Sequence, residues 1–405
     1  MSISARERFL DICHFERPGD LYLRDSFWLE TLKNWAKQGA PKEIAPSKFG
    51  DQYRPKSFLY DYFHFDPRPQ WLTEVISGIG GVFVHQPPQL DTGIVLVWEQ
   101  YTPVVPSYEP RIISEDERTI TYTSGDGQTL KVFKDNPQKM PTFLDWPVKD
   151  RATWKEYKKR LDPHTPERWP ADWNAYVREM NKLGEETPIA LEVGGFYGYL
   201  REWIGTERIL YMFYDDPGLI EDMMEQMLYL ETEIIKRVVK DIRVDQATFW
   251  EDMCYKAGPL ISPAMVRKFM VPRYKKITEL LRRNGVDVIF LDSDGNVEQL
   301  VPLWLEAGIN YIWPFEVAAG NDAVAMRKKY GKDLIIGGNI DKRALVKGKE
   351  AIKEEVMSKV PFLLEQGGYF PTTDHSVPPD VTFENYCYYI NLVRDVAGRE
   401  KLSFQ

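Results

Sequence analysis

Apolar and polar positions alternate along this chain in blocks whose period changes twice. Ser4–Phe15 puts Phe9, Leu10, Cys13 and His14 on one side of a short helix, with Ser4 placed to cap it. Arg17-Pro18-Gly19-Asp20 breaks that helix, Leu21–Arg24 reads as a first strand, and Phe27–Gln38 returns to a helical period. From about 80 to 147 the period shortens to two. Runs at Gly81–Val84, Ile94–Trp98, Arg111–Ile113, Thr119–Thr123 and Leu130–Phe133 are separated by turn material such as Gly125-Asp126-Gly127, and they predict an inserted antiparallel β segment. Pro137–Trp146 leads out of it, and polar, Trp-bearing helices follow at Asp150–Leu161 and Pro170–Leu183.

The second half alternates regularly. Strands at Pro188–Val193, Gln246–Trp250, Val286–Leu291, Asn310–Trp313, Leu334–Gly337 and Gly368–Pro371 are separated by helical stretches, among them Pro217–Asp241, Ser262–Asn284, Val297–Ala307, Asp322–Tyr330 and Glu350–Gln366. A last helix is expected at Phe383–Val396. Val286–Leu291 is apolar almost throughout, the mark of a strand buried on both faces in a parallel sheet. Six strand–helix units in a row favour a (β/α)8 TIM barrel over an open sheet, so the whole chain, 1–405, is expected to form one barrel domain carrying the β insertion.

Composition narrows the classes. With 43% hydrophobic residues the chain has material for a large core, which excludes disorder for most of its length. A net charge of −9 without a long basic run argues against nucleic acid as a partner. Cys13, Cys254 and Cys387 have no paired spacing, so a disulfide framework and a thiolate-only zinc site are not expected. No apolar run is long enough to span a membrane, and the expectation is a soluble, cytoplasmic protein. No glycine fingerprint for a dinucleotide or a phosphate loop follows any strand.

In a barrel the loops after the strands converge on one mouth. Those loops supply Glu251 and Asp252, Asp292 and Asp294, Glu316, Asn339 and Asp341, and Asp374 with His375, among Trp250, Tyr255, Trp313, Phe315, Phe196, Tyr197 and Tyr199. Three chemistries fit such an acidic pocket walled with rings. Asp292, Asp294 and His375 could ligate a divalent metal. Paired carboxylates such as Asp294, Asp292 and Glu251 could divide acid and base work. Aromatic walls with acids could hold a cationic substrate, with Asp252, Tyr255, Trp250, Phe196, Tyr197, Trp313, Glu316, Asn339 and Asp341 as binding residues. Each has a plainer alternative, in which the acids simply cap helices and loops, His375 bonds a loop backbone, and the rings are core.

Ser4–Leu10 with Glu16–Asp20, Ala257–Pro263, Asp294-Gly295-Asn296, Pro314–Val317, Gly337–Asp341, and Gly367-Gly368-Tyr369 with Val377–Asp380 occur in an order that resembles the uroporphyrinogen decarboxylase superfamily. That superfamily also contains cobalamin-dependent methyltransferases acting on methanol, methylamines, coenzyme M and methoxylated aromatics. The resemblance implies a barrel with its site at the mouth, a homodimer, and a corrinoid carried by a partner protein. Two departures shape the functional expectation. Thiol-activating members carry His-x-Cys where Asp292-Ser293-Asp294 stands here, and a later Cys near His375, so thiol methylation through zinc is not expected. True decarboxylases carry an arginine-rich segment where Leu23–Trp28 here holds one arginine beside an acid, and an acidic mouth repels a polyanion. The favoured expectation is transfer of a methyl group from a small methoxylated or methylated-amine substrate to a corrinoid. Decarboxylation of a tetrapyrrole or another carboxylated ring is the alternative, and a non-catalytic ligand-binding barrel is the third.

Overall fold

The computed structural model describes residues 3–46, 57–72, 103–135 and 140–404. Seven strands form one parallel, curled sheet in which spatial order follows chain order: β1 (Gln70–Trp71), β2 (Ile189–Glu192), β3 (Gln246–Trp250), β4 (Val288–Asp292), β5 (Tyr311–Trp313), β6 (Ile335–Gly337) and β7 (Tyr369–Phe370). Side chains alternate between two environments. Leu191, Phe249, Ile289, Leu291, Ile312 and Ile336 pack outward against the helices in the main core. Val288, Phe290, Tyr311, Ile335 and Phe370 pack inward with Phe9, Ile12 and Tyr22. A sheet that buries apolar residues on both faces is the reason these strands read as continuous hydrophobic runs.

The expected first strand, Leu21–Arg24, joins no ladder. Its side chains nonetheless alternate as a strand's would, with Leu21 and Leu23 in the outer core and Tyr22 in the inner one. Its backbone is held locally instead: Leu23 N–H donates to Asp66 Oδ2 at 2.6 Å, and Asp66 N–H donates to the Leu23 carbonyl at 2.8 Å. Beyond it, Phe27 makes an isolated parallel bridge to Val377. Among the described residues, paired strands therefore number seven in the curled sheet rather than eight.

The inserted segment forms a four-stranded antiparallel sheet of Arg111–Glu115, Thr119–Thr123, Thr129–Phe133 and Thr142–Asp145. Its last strand was read from sequence only as exit material, and the expected strands at 81–84 and 94–98 lie outside the described residues. Ile120, Tyr122, Leu130 and Val132 make a small core of their own. Helix boundaries differ where proline acts. The stretch expected as one helix from Ser262 is α-helical at Pro263–Met265, π-helical at Val266–Met270, and α-helical again at Val271–Arg283. The widened turn precedes Pro272, whose ring would otherwise clash with the carbonyl four residues back. The helix expected from Val297 begins at Val301, with Pro302 in its first turn. Lys342–Lys347 is a short helix that the sequence reading left as loop, with Asp341 as its N-cap. None of the described helices is long and apolar enough to cross a membrane.

Candidate active site at the sheet's C-terminal edge

Register builds the floor of the site. Asp292 pairs with Trp250 on one side and Trp313 on the other, so these three side chains form one row on the inner face at the ends of β3, β4 and β5. The row below it contains Glu192, Thr248, Phe290 and Tyr311. Loop backbone above the row is strained: Asp252, Phe315 and Asn339 have φ of 46°, 53° and 63°. Left-handed conformations of non-glycine residues cost free energy, and they persist where surrounding contacts impose them. Gly295 is required here for two reasons, since it has φ 82° and any Cβ would press on the Cys254–Tyr255 backbone.

Asp294 is the most open of the acids that point into this cleft, with 39% of its side chain exposed. Its Oδ2 lies 3.6 Å from Nε2 of His375. Desolvation, followed by the charges of Asp252 and Glu316, pushes the Asp294 carboxyl up to about 8, against the opposing pull of Lys342 and Arg201. It is therefore largely protonated at neutral pH. Asp292 is raised well above its ordinary range by desolvation and by Asp294 and Asp252. His375 is pushed below its ordinary value by burial and by Lys342, so its ring is neutral at pH 7. The imidazole stacks with two indoles, Trp313 at 6.1 Å and Trp28 at 6.4 Å between ring centres.

The remaining carboxylates are bound to protein groups. Glu251 is fully buried and accepts the N–H groups of Phe196 at 2.8 Å, Tyr197 at 2.7 Å and Gly198 at 3.0 Å, together with the Tyr274 hydroxyl. It fixes the loop after β2 and the start of helix Gly198–Ile204. Asp252 accepts the Asp294 N–H at 3.2 Å and pairs with Arg201 at 3.3 Å, while the Arg201 guanidinium lies 5.1 Å from the Trp250 ring centre. Glu316 accepts the Gly295 N–H at 2.9 Å and pairs with Lys342 at 3.3 Å. Asp374 is wholly buried, accepting the N–H groups of Val317 and Lys342. Asn339 ties two segments together, donating to the Phe315 and Asn321 carbonyls and accepting the Ala323 N–H. Asp341 caps its helix and pairs with Arg343.

The predicted rings divide. Trp250 and Trp313 are half-buried in the row described above, Phe196, Tyr197, Tyr199 and Phe315 are buried, and Tyr255 is exposed on a short hairpin. Phe196 packs edge-on against Tyr274. The Tyr197 hydroxyl is buried without a hydrogen-bond partner among the described residues. Sequence reasoning passed over Trp28, Arg201, Tyr274 and Lys342. Lys342 directly follows Asp341 in the loop after β6, a position that could have marked it as the cation answering this acidic mouth. As to metal, no three His, Cys, Asp or Glu donors among the described residues converge closely enough to hold an ion. The expected set of Asp292, Asp294 and His375 does not fit one in this arrangement.

The comparisons with known proteins bear on this site. The family model "Uroporphyrinogen decarboxylase (URO-D)" matches residues 132–396, well over half of the chain. The chain belongs to the uroporphyrinogen decarboxylase family. Among curated relatives, uroporphyrinogen decarboxylase 2, chloroplastic, of Oryza sativa subsp. japonica is 19% identical over 56% of this chain, and the match spans only 59% of that relative's length. Uroporphyrinogen decarboxylase of Hordeum vulgare is 20% identical over 56% of this chain and 69% of its own. A solved methyltransferase from Methanosarcina mazei has the same fold, with TM-score 0.56 at 14% identity, covering 97% of this chain and 99% of that one. The family match begins inside the inserted sheet and takes in β2 to β7, so every acid of the mouth named above lies within it.

Proposed function

We propose that this uroporphyrinogen decarboxylase family member is a methyltransferase. On this reading it takes a methyl group from a small methoxylated or methylated-amine substrate and passes it to a corrinoid held by a partner protein. The reading takes the fold as a closed (β/α)8 barrel, with Leu21–Arg24 as its remaining stave, acting as a homodimer. The observation that carries it is the half-exposed Asp294 carboxyl 3.6 Å from His375, whose ring stacks with Trp28 and Trp313, in surroundings that raise Asp294 to about 8.

Breaking a methyl–oxygen bond leaves the electron pair on oxygen, and that oxygen needs a proton to depart as a good leaving group. Asp294 donates it. His375 Nε2 stands within reach of a small adjustment to return a proton to Asp294, and its neutral state leaves it free to relay one. Trp28 and Trp313 stack on the His375 ring and hold water away from the imidazole. A quaternary amine leaves as a neutral amine and needs no proton, so a protonated Asp294 favours the methoxylated donor. The corrinoid, bound to its own protein, supplies the nucleophile that accepts the methyl group.

Decarboxylation is the second reading, favoured by the names of the curated relatives. Against it, the two cations named at the mouth, Arg201 and Lys342, are already paired with Asp252 and Glu316 rather than free to hold a polycarboxylate. One experiment separates the two. The protein is mixed anoxically with cob(I)alamin and a panel of methoxylated aromatics and methylated amines, and methylcob(III)alamin is followed by absorbance. Formation with one donor, lost in Asp294→Ala, supports methyl transfer. No formation across the panel, together with turnover of uroporphyrinogen, sinks it.

A further inference from the structure

Residues 25–28 and 373–377 meet across a sequence separation of about 350 positions, and their contacts converge on one side chain. The Asp25 carboxylate is buried. Its Oδ1 accepts the Thr373 N–H at 3.3 Å and the Thr373 hydroxyl at 2.6 Å, its Oδ2 accepts the Tyr386 hydroxyl at 3.1 Å, and the adjacent Ser26 N–H adds a local bond. The backbones continue the match, with Val377 N–H donating to the Ser26 carbonyl at 2.8 Å and Ser26 Oγ lying 3.0 Å from Ser376 Oγ. Trp28, three residues after Asp25, then stacks on the ring of His375, two residues after Thr373.

We propose that Asp25 is a positioning residue: its carboxylate fixes the Thr373–Asp374–His375 turn so that the imidazole lies beside Trp28 and Trp313 and faces Asp294. The inference rests on reading the His375–Asp294 pair as the working pair. Deleting the carboxylate leaves the Thr373 N–H and the Tyr386 hydroxyl buried with no acceptor, a loss that favours another backbone path for the turn. Asp25 is raised to about 7 by burial, which the bonds from Thr373, Ser26 and Tyr386 oppose.

The test reads the imidazole itself and needs no turnover. The chain has five histidines, so the ring signal of His375 in a 13C-histidine-labelled sample is assigned by its disappearance in His375→Gln. In the unmodified protein it titrates below the usual value of about 6.5. In Asp25→Ala the freed turn is expected to expose the ring and move its titration up toward that value, with loss of the Trp28 contact in nuclear Overhauser spectra. Asp25→Asn, which keeps an acceptor for Thr373, restores the lower value. Thr373→Val removes a hydroxyl that reaches both Asp25 Oδ1 at 2.6 Å and the His375 carbonyl at 2.7 Å, and is expected to give an upward shift; Tyr386→Phe, which removes a bond to Asp25 alone, is expected to give a smaller one and decides the matter should Asp25→Ala fail to fold. An unchanged His375 titration in folded Asp25→Ala or in Tyr386→Phe overturns the proposal. Because no substrate is involved, absence of methyl transfer would leave this result standing, and the reverse also holds.

Discussion

The Oδ2 atom of Asp294 lies 3.6 Å from Nε2 of His375, with the carboxyl protonated and the imidazole neutral near pH 7. This inverts the usual charge state of such a pair. A surface Asp–His contact carries a carboxylate and, in acid, an imidazolium, whereas here desolvation and the neighbouring Asp252 and Glu316 hold the proton on the acid.

A proton donor with this titration dictates a pH profile. The donating form exists below about 8 and is lost as pH rises through that value, so methyl transfer from a methoxylated donor is expected to fall on the alkaline side with a midpoint near 8. Asp294→Asn removes the donor and is expected to lower kcat about 10²- to 10⁴-fold, with little change in KM. Steady-state rates from pH 6 to 10 check both. A profile that stays flat through pH 9 would remove Asp294 from the acid's role.

Glu251 is expected to behave as a structural acceptor. Glu251→Ala strips three backbone N–H groups and the Tyr274 hydroxyl of their partner, and a destabilisation of about 3–5 kcal/mol is expected by chemical denaturation. Glu251→Gln keeps one acceptor oxygen and costs clearly less. If Glu251→Gln instead folds like the parent but loses turnover as completely as Asp294→Asn, Glu251 takes part in the chemistry.

Glu231, on the long helix Pro217–Asp241, has both carboxylate oxygens buried without a hydrogen-bond partner among the described residues and is raised to about 8 by desolvation, with Arg168 opposing. The folded state thus binds this proton more tightly than the unfolded chain, whose ordinary value is 4.5. The sign follows directly: stability is full below about 4.5, declines as pH rises, and levels off above 8. The change attributable to this one group is on the order of 5 kcal/mol. Glu231→Gln is expected to flatten that decline and to raise Tm at pH 8. Parallel Tm curves for the two proteins from pH 5 to 8 would refute this.

Two glycine substitutions separate crowding from backbone conformation. A Cβ at Gly195 would land on the Trp250 carbonyl, displacing the residue that lines the floor of the cleft. Gly195→Ala is expected to cost about 3 kcal/mol or more. Gly285 has φ 82° with nothing within 4 Å of its Cβ position, so Gly285→Ala costs only the conformational term, about 1 kcal/mol. Urea midpoints rank the two, and a smaller loss at Gly195 would contradict the geometry.

Much of this architecture is legible in sequence because parallel strands carry their own signal. The run Val288–Leu291 is apolar on both faces and stops abruptly at Asp292, so it announces both a buried strand and the loop where polar groups gather. Ser4 and its capping box with Glu7 were equally local. What escaped was set by partners far away in the chain. Glu251 looks like a candidate catalyst until the N–H groups of 196–198, more than fifty positions earlier, are brought onto it. Trp28 belongs to the site only because Val377 and Ser376, in the loop after the last strand, bond its segment. The strand expected at Leu21–Arg24 kept its alternation and lost its ladder, since Asp66 supplies the bonds a neighbouring strand would have made.

The bond between Asp25 and Thr373 joins positions 348 residues apart. A ribosome-bound chain can complete the helices and strands between these segments as they emerge, but it cannot assemble the pairing of Trp28 with His375 until His375 itself has left the ribosome. Two segments 348 residues apart therefore act as a clasp on the candidate site, which takes shape only after both have been made.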